Sequence, residues 1–151
     1  MATVDTTTTT TPANPPAAGL VWLASGAHAA LRIGAGLLFI PHGLQKVFGL
    51  LGGAGGSGAA VPLVSLLGLA GVLEFVGGIL LVVGLLTRPV AAILTLEMLV
   101  AYVKAHMPQG GLPIQNGGEL ALLYALVFFA LTAFGSGPLS LDRRWWAGTG
   151  G

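Results

Sequence analysis

The chain contains no cysteine. That excludes a disulfide framework, thiolate metal ligation and dithiol chemistry carried by the chain itself, so any redox work requires a partner protein or a bound cofactor. Charge is nearly as scarce: 7% of the 151 residues are Asp, Glu, Lys or Arg, against about 25% in ordinary soluble domains. A soluble bundle needs a polar outer face on every helix, and there is too little charge here to make one. The six basic residues are scattered and the net charge is +1, which excludes nucleic acid as a partner. The first eighteen residues hold no Lys or Arg, so we expect no cleavable signal peptide and insertion by the first spanning helix. No metal is expected either. His42 and His106 could ligate a haem from two helices only with corroborating spacing, and none is present.

Apolar residues dominate instead, at 54% of the chain with a mean hydropathy of +0.89. The fold class that follows is all-α: an integral membrane four-helix bundle in one domain, with the lipid bilayer as its first partner. Residues 1–18 form a Thr/Pro/Ala tail without periodicity, expected to be disordered. The helical domain occupies 19–142, with spans over about 28–48, 61–86, 90–106 and 118–134, the first extending back as far as Leu20 at most. The glycine-rich stretch 49–60 reads as a flexible connector; it lacks the Lys-Ser/Thr ending of a phosphate-cradling loop. Thr87, Arg88 and Pro89 read as a tight connector and 107–117 as a longer loop. Residues 143–151 read as an interfacial tail, where Arg143 and Arg144 stand beside Trp145 and Trp146.

Four spans in antiparallel, up-down order put both termini on one side. Arg32, Arg88, Arg143 and Arg144 fall on that side and Lys46 and Lys104 on the other, so the positive-inside rule predicts cytoplasmic termini and a multi-pass protein of the cytoplasmic membrane.

The stretch LRIGAGLLFIPHGLQKVFG, residues 31–49, is apolar enough for lipid yet carries Arg32, Pro41, His42 and Lys46. Pro41 has no N–H and crowds the carbonyl of Leu37, so a kink is expected, with a freed carbonyl that must be covered by protein or a wet cavity. His42 has two readings there, a donor to that carbonyl or a ligand and proton relay. Arg32, Lys46 and Lys104 match Glu74, Glu97 and Glu119 in number. Because an unpaired charge at a helix centre costs roughly 2.5–3.5 kcal/mol on insertion scales, these charges are expected to pair around a polar interior, with Arg32, Glu74, Glu97 and Lys104 carrying structural pairing. Glu74 is flanked at helical spacing by Ala70, Gly71, Gly77 and Gly78, small residues that admit a neighbouring helix. Glu119 beside Gly117 and Gly118 reads equally as a complement to the positive end of its own helix. The expected ligand-binding column is His42, Lys46, Glu74, Glu97, His106 and Glu119; no catalytic residue is identified.

The order LLFIPHGLQKVFG, LLGLAGVLEFVGGILLVVGLLTRPVA, AYVKAHMP, NGGELALLY and GSGPLSLD closely resembles the DoxX family of small four-helix membrane proteins, over residues 31–142. The family's polar positions fall here on Arg32, His42, Gly43, Lys46, Glu74, Gly77, Gly78, Arg88, Glu97, His106, Asn116, Glu119 and Asp142; the Thr-rich head carries none. The resemblance implies four transmembrane helices and an association with redox chemistry, as membrane subunits of thiosulfate:quinone oxidoreductase or terminal quinol oxidase systems or of assemblies protecting against oxidative stress. The expectation is a membrane oxidoreductase subunit, not active alone, with no intrinsic cofactor, a quinone headgroup or small polar molecule in its pocket, and a redox partner protein or a second copy of itself alongside. A non-catalytic scaffold and a small proton-coupled transporter are the alternatives; the two helix pairs show no repeat of the kind a transporter usually carries.

Overall fold

The computed structural model describes residues 18–148, with side chains through Trp145. The Thr/Pro/Ala head up to residue 17 and the side chain of Trp146 lie outside the described residues, and with them the expectations of disorder and of an interfacial Trp146. Among the described residues every regular element is helical.

α1 runs Ala18–Phe48, ten residues longer at its start than the expected span, because nothing between Leu20 and Ala30 breaks a helix. It continues through Pro41. The glycine-rich connector then folds back, with Val61 N–H donating to the Lys46 carbonyl at 2.8 Å. α2 is Leu66–Val83. It begins after Val61 because Ser65 caps it: the Gly68 N–H donates to the Ser65 hydroxyl oxygen at 3.0 Å. It stops where Gly84 adopts the left-handed conformation, φ +70°.

The tight connector is therefore 84–86, and Thr87, Arg88 and Pro89 open the next helix, α3, Thr87–Ala101. Pro89 sits in the first turn, where an α-helix has no use for its N–H. The cap comes from far along the chain. The Asp142 carboxylate accepts from the N–H of Leu86 at 2.7 Å and of Thr87 at 2.9 Å, and holds Leu86 at φ +52°. α3 continues as a π-helical turn, Tyr102–His106, and a 3-10 turn, Met107–Gln109. The short α4, Pro113–Asn116, leads into α5, Glu119–Phe134. α6, Leu141–Gly148, takes in most of the segment that reads from sequence as an interfacial tail; its Asp142 is the residue that caps α3, which gives that turn a reason to be ordered.

α1 packs chiefly on α2, and α3 on α5. Glycine makes the first contact possible. A Cβ on Gly43 would stand 2.5 Å from the Phe75 nitrogen and 2.7 Å from the Gly71 carbonyl, backbone atoms that cannot give way. The interior is filled by Phe39, Leu81, Leu94, Phe128 and Leu131, each at most 1% exposed. The outside is also apolar: Leu38, Leu96, Leu126 and Phe129 are each more than 60% exposed, a surface that lipid tolerates and water does not. Ala18–Phe48, Leu66–Val83 and the continuous stretch Thr87–Gln109 are long and apolar enough to cross a membrane. Glu119–Phe134 is apolar but, at 16 residues, about 24 Å long.

Candidate functional site

Two polar centres occupy opposite ends of the bundle. The first grows from Lys46, in the last turn of α1, and Glu74, in the middle of α2. Their side chains form an ion pair, 19% and 3% exposed respectively. Gly71 allows it: a Cβ there would meet the Lys46 Cβ at 2.6 Å, so the lysine stem crosses α2 where a side chain is missing. One carboxylate oxygen of Glu74 takes the lysine, and the other, Oε2, is buried with no hydrogen-bond partner among the described residues. Both carboxyl oxygens of Glu97 on α3 are in the same condition. Buried acceptors without donors are uncommon in folded proteins and call for an explanation.

The pair is a wall between two hollows. One is a cavity of about 250 Å³ whose polar lining is His42, Lys46, Glu74, His106 and Tyr124, with Phe39 and Met98 behind them. The His42 ring lies 6.2 Å from both the Phe39 and Tyr124 rings, and no hydrogen bond joins it to the Leu37 carbonyl among the described residues. Tyr124 and Phe128 stack at 5.6 Å, and Phe39 lies 5.0 Å from Tyr124 and 4.9 Å from Phe128, so the cavity floor is a fixed aromatic cluster. His106 is oriented from behind. A carbonyl can only accept, so its Nδ1 donates to the Asn116 oxygen at 3.0 Å, leaving Nε2 available. Asn116 is held in turn, donating to the Gly110 carbonyl at 2.9 Å and accepting from the Gly118 N–H at 2.8 Å.

The other hollow is a groove of about 470 Å³ between α2 and α3, walled by Leu69, Leu73, Ile93 and Leu96, with Lys46, Glu74, Glu97 and Lys104 as its polar members. Lys46 and Glu74 belong to both. The chemistry on offer is therefore a small polar chamber with donors from a lysine, the His42 imidazole and a phenol, acceptors at His106 Nε2 and an orphan carboxylate oxygen, and an adjoining apolar slot.

The expected six-charge network does not form. Lys46 and Glu74 pair; Glu97 lies next to them without a partner; Lys104 and Glu119 are exposed, and neither makes an ion pair among the described residues. Glu119 is the first residue of α5, where a carboxylate complements the helix end rather than the pocket, and it lines neither hollow. Arg32 departs furthest. Fourteen residues before Lys46, it sits about 21 Å away along α1 and forms no ion pair with a carboxylate among the described residues. Its wholly buried guanidinium donates from Nε to the Ser136 carbonyl at 2.9 Å, from Nη1 to the carbonyls of Leu81 and, at 2.8 Å, Val82, and from Nη2 to Leu139 at 2.8 Å. The last carbonyls of a helix have no partner within it, and two of those of α2, Leu81 and Val82, are satisfied by this arginine. Gly84 leaves the space: a Cβ there would stand 2.8 Å from Nη1. His28 adds a contact to the Gly135 carbonyl at 3.0 Å.

Reasoning from sequence missed Tyr124, although a phenol in the middle of the apolar run of α5 is a signal that could have found it.

A family model described as DoxX matches residues 27–107. The chain is 43% identical over 121 residues to an uncharacterized protein of Haemophilus influenzae, covering 76% of this chain and 87% of that one. It is 33% identical over 129 residues to an uncharacterized membrane protein of Mycobacterium tuberculosis, covering 76% and 78% respectively. No solved structure matches.

Proposed function

Since the chain belongs to the DoxX family of membrane proteins, we propose that it is a non-autonomous oxidoreductase subunit of the cytoplasmic membrane, whose chamber at Lys46 and Glu74 receives a quinone headgroup or a similar small polar redox molecule. Its four spans run antiparallel in up-down order with both termini in the cytoplasm, and a partner protein carries the electron donor. A bound quinone would supply two-electron acceptor chemistry that no side chain here provides. The chain's own residues hold and orient it.

One observation carries this reading: the Lys46–Glu74 pair is shared by a polar chamber and an apolar groove, and Glu74 Oε2 in that wall has no donor. A quinone asks for this combination, donors for its carbonyls, an acceptor for its reduced hydroxyls and an apolar slot for its tail. Lys46, His42 and the Tyr124 hydroxyl are the donors, and Glu74 Oε2 and His106 Nε2, whose ring proton is on Nδ1, are the acceptors. The residues fit the group.

Thermal unfolding of the purified protein in detergent, with and without a short-chain quinone, tests it. The quinone is expected to raise the midpoint in the wild type, and Tyr124→Phe and His106→Ala to reduce that rise. No rise in the wild type contradicts the proposal. Trp22 and Trp145 lie outside the chamber lining, which makes fluorescence quenching the weaker probe. A scaffold role is the second reading, and Arg32 favours it, since there a buried charge serves packing alone.

A further inference from the structure

A hollow of about 630 Å³ lies at the other end of the bundle, between the start of α3, the end of α5 and the first turn of α6. Its charged residues are Arg88, Arg143 and Asp142. Both arginines are exposed and neither makes an ion pair among the described residues. Asp142 is already occupied, with one carboxylate oxygen on the Leu86 N–H and the other on the Thr87 N–H. Thr87 also lines the hollow. It is wholly buried, and its hydroxyl has no hydrogen-bond partner among the described residues. The remaining wall is apolar, with Leu86, Pro89, Phe134 and Pro138. Two unpaired guanidiniums and an orphan hydroxyl form a donor set for a phosphate, and the volume is within the usual range of about 300–1,000 Å³ for ligand pockets.

The position selects the source of that phosphate. The hollow sits where the apolar run of α5 ends at Phe134 and the apolar run of α3 has yet to begin, the level at which headgroups meet the hydrocarbon. A soluble anion would have no use for the Phe134 and Pro138 wall, whereas acyl chains continue from it onto the exposed Phe129 and Leu126 of α5. We propose that this hollow binds the phosphodiester of an anionic glycerophospholipid, held by Arg88, Arg143 and the Thr87 hydroxyl. The site is independent of the quinone chamber and stands whether or not that chamber binds a quinone. On the topology given above it faces the leaflet that carries an anionic surface, where basic pockets between helices are suited to acidic headgroups.

Native mass spectrometry of the purified protein titrated with phosphatidylglycerol and with phosphatidylcholine tests it, with inorganic phosphate as the third arm. Phosphatidylglycerol is expected to bind more tightly than phosphatidylcholine, and Arg88→Gln or Arg143→Gln to weaken it about fivefold each. Thr87→Val, which keeps the shape, is expected to weaken phosphatidylglycerol binding with the unfolding midpoint unchanged, and an undiminished affinity would remove the hydroxyl from the site. Arg144→Gln, on an arginine outside this lining, is expected to have no effect. Equal binding of the two lipids overturns the proposal, as does an equal loss in Arg144→Gln, which would mean general attraction to charge. Displacement of phosphatidylglycerol by millimolar inorganic phosphate overturns the lipid assignment in favour of a soluble anion. The arginines are exposed, so these variants are expected to fold, and an unchanged unfolding midpoint verifies it.

Discussion

Lys46 and Glu74 are bound to each other's fate. Removing one partner of a buried pair leaves the other charge without compensation and costs about 3–5 kcal/mol, while replacing both with apolar residues of similar volume is close to neutral. Lys46→Met and Glu74→Leu are therefore each expected to lower the unfolding midpoint strongly, and the double variant to recover most of the loss; additive losses in the double-mutant cycle would mean that the pair does not interact. Arg32 differs in kind. Its four bonds go to carbonyls, and Lys, with one nitrogen, cannot reproduce a fork spread over Leu81, Val82, Ser136 and Leu139. With charged hydrogen bonds worth about 1.5–3 kcal/mol each, Arg32→Lys is expected to cost about 3 kcal/mol or more. Hydrogen exchange should show its effect in 135–140 and leave 98–106 unchanged. Exchange that rises equally at both ends would deny that Arg32 is a local staple. This residue also marks the limit of reading from sequence. A buried arginine is visible in the sequence, but its acceptors are backbone carbonyls 49, 50, 104 and 107 positions away, and a carbonyl has no signature in a sequence.

At the scale of elements, the α1–α2 contact rests on missing side chains. A Cβ on Gly43 would collide with backbone at 2.5 Å, whereas one on Gly34 of the same helix would meet nothing within 4 Å. Gly43→Ala is expected to destabilise by about 1–3 kcal/mol through overpacking. Gly34→Ala is expected to be neutral or to stabilise by about 0.5–1 kcal/mol through helix propensity, and equal midpoints for the two would refute close approach at Gly43. The small residues around Glu74 made this contact legible beforehand, because spacing of three and four survives in a sequence. Helix ends were less legible. The apolar pattern begins five residues before α2 and three residues after the start of α3, since one start is set by the Ser65 cap and the other by Asp142, a carboxylate from the end of the domain.

At the scale of the whole molecule, scarcity of charge was the most informative feature, and the helical bundle with an apolar exterior follows from it. The placement of charges inside the bundle was not legible to the same degree. Equal numbers of acids and bases suggested one network, whereas the fold separates them into a chamber at Lys46, a staple at Arg32 and exposed ends at Lys104 and Glu119. The absence of cysteine gives a clean test of the proposed topology. Cysteine introduced at Ser57, in the glycine-rich connector, is expected to react with a membrane-impermeant maleimide added to intact cells, and cysteine introduced at Leu141, at the start of α6, only after the membrane is opened. The opposite pattern would invert the protein, and labelling of both in intact cells would break the up-down order.

The most direct measurement on the chamber is photolabelling with an azido-quinone in native membranes, followed by mapping of the labelled peptides. Label is expected on residues 39–46, 98–106 or 117–124, decreasing when unlabelled quinone is added in excess. Label confined to lipid-facing residues such as Leu126 and Phe129, or insensitive to the competitor, would contradict a quinone site at Lys46 and Glu74.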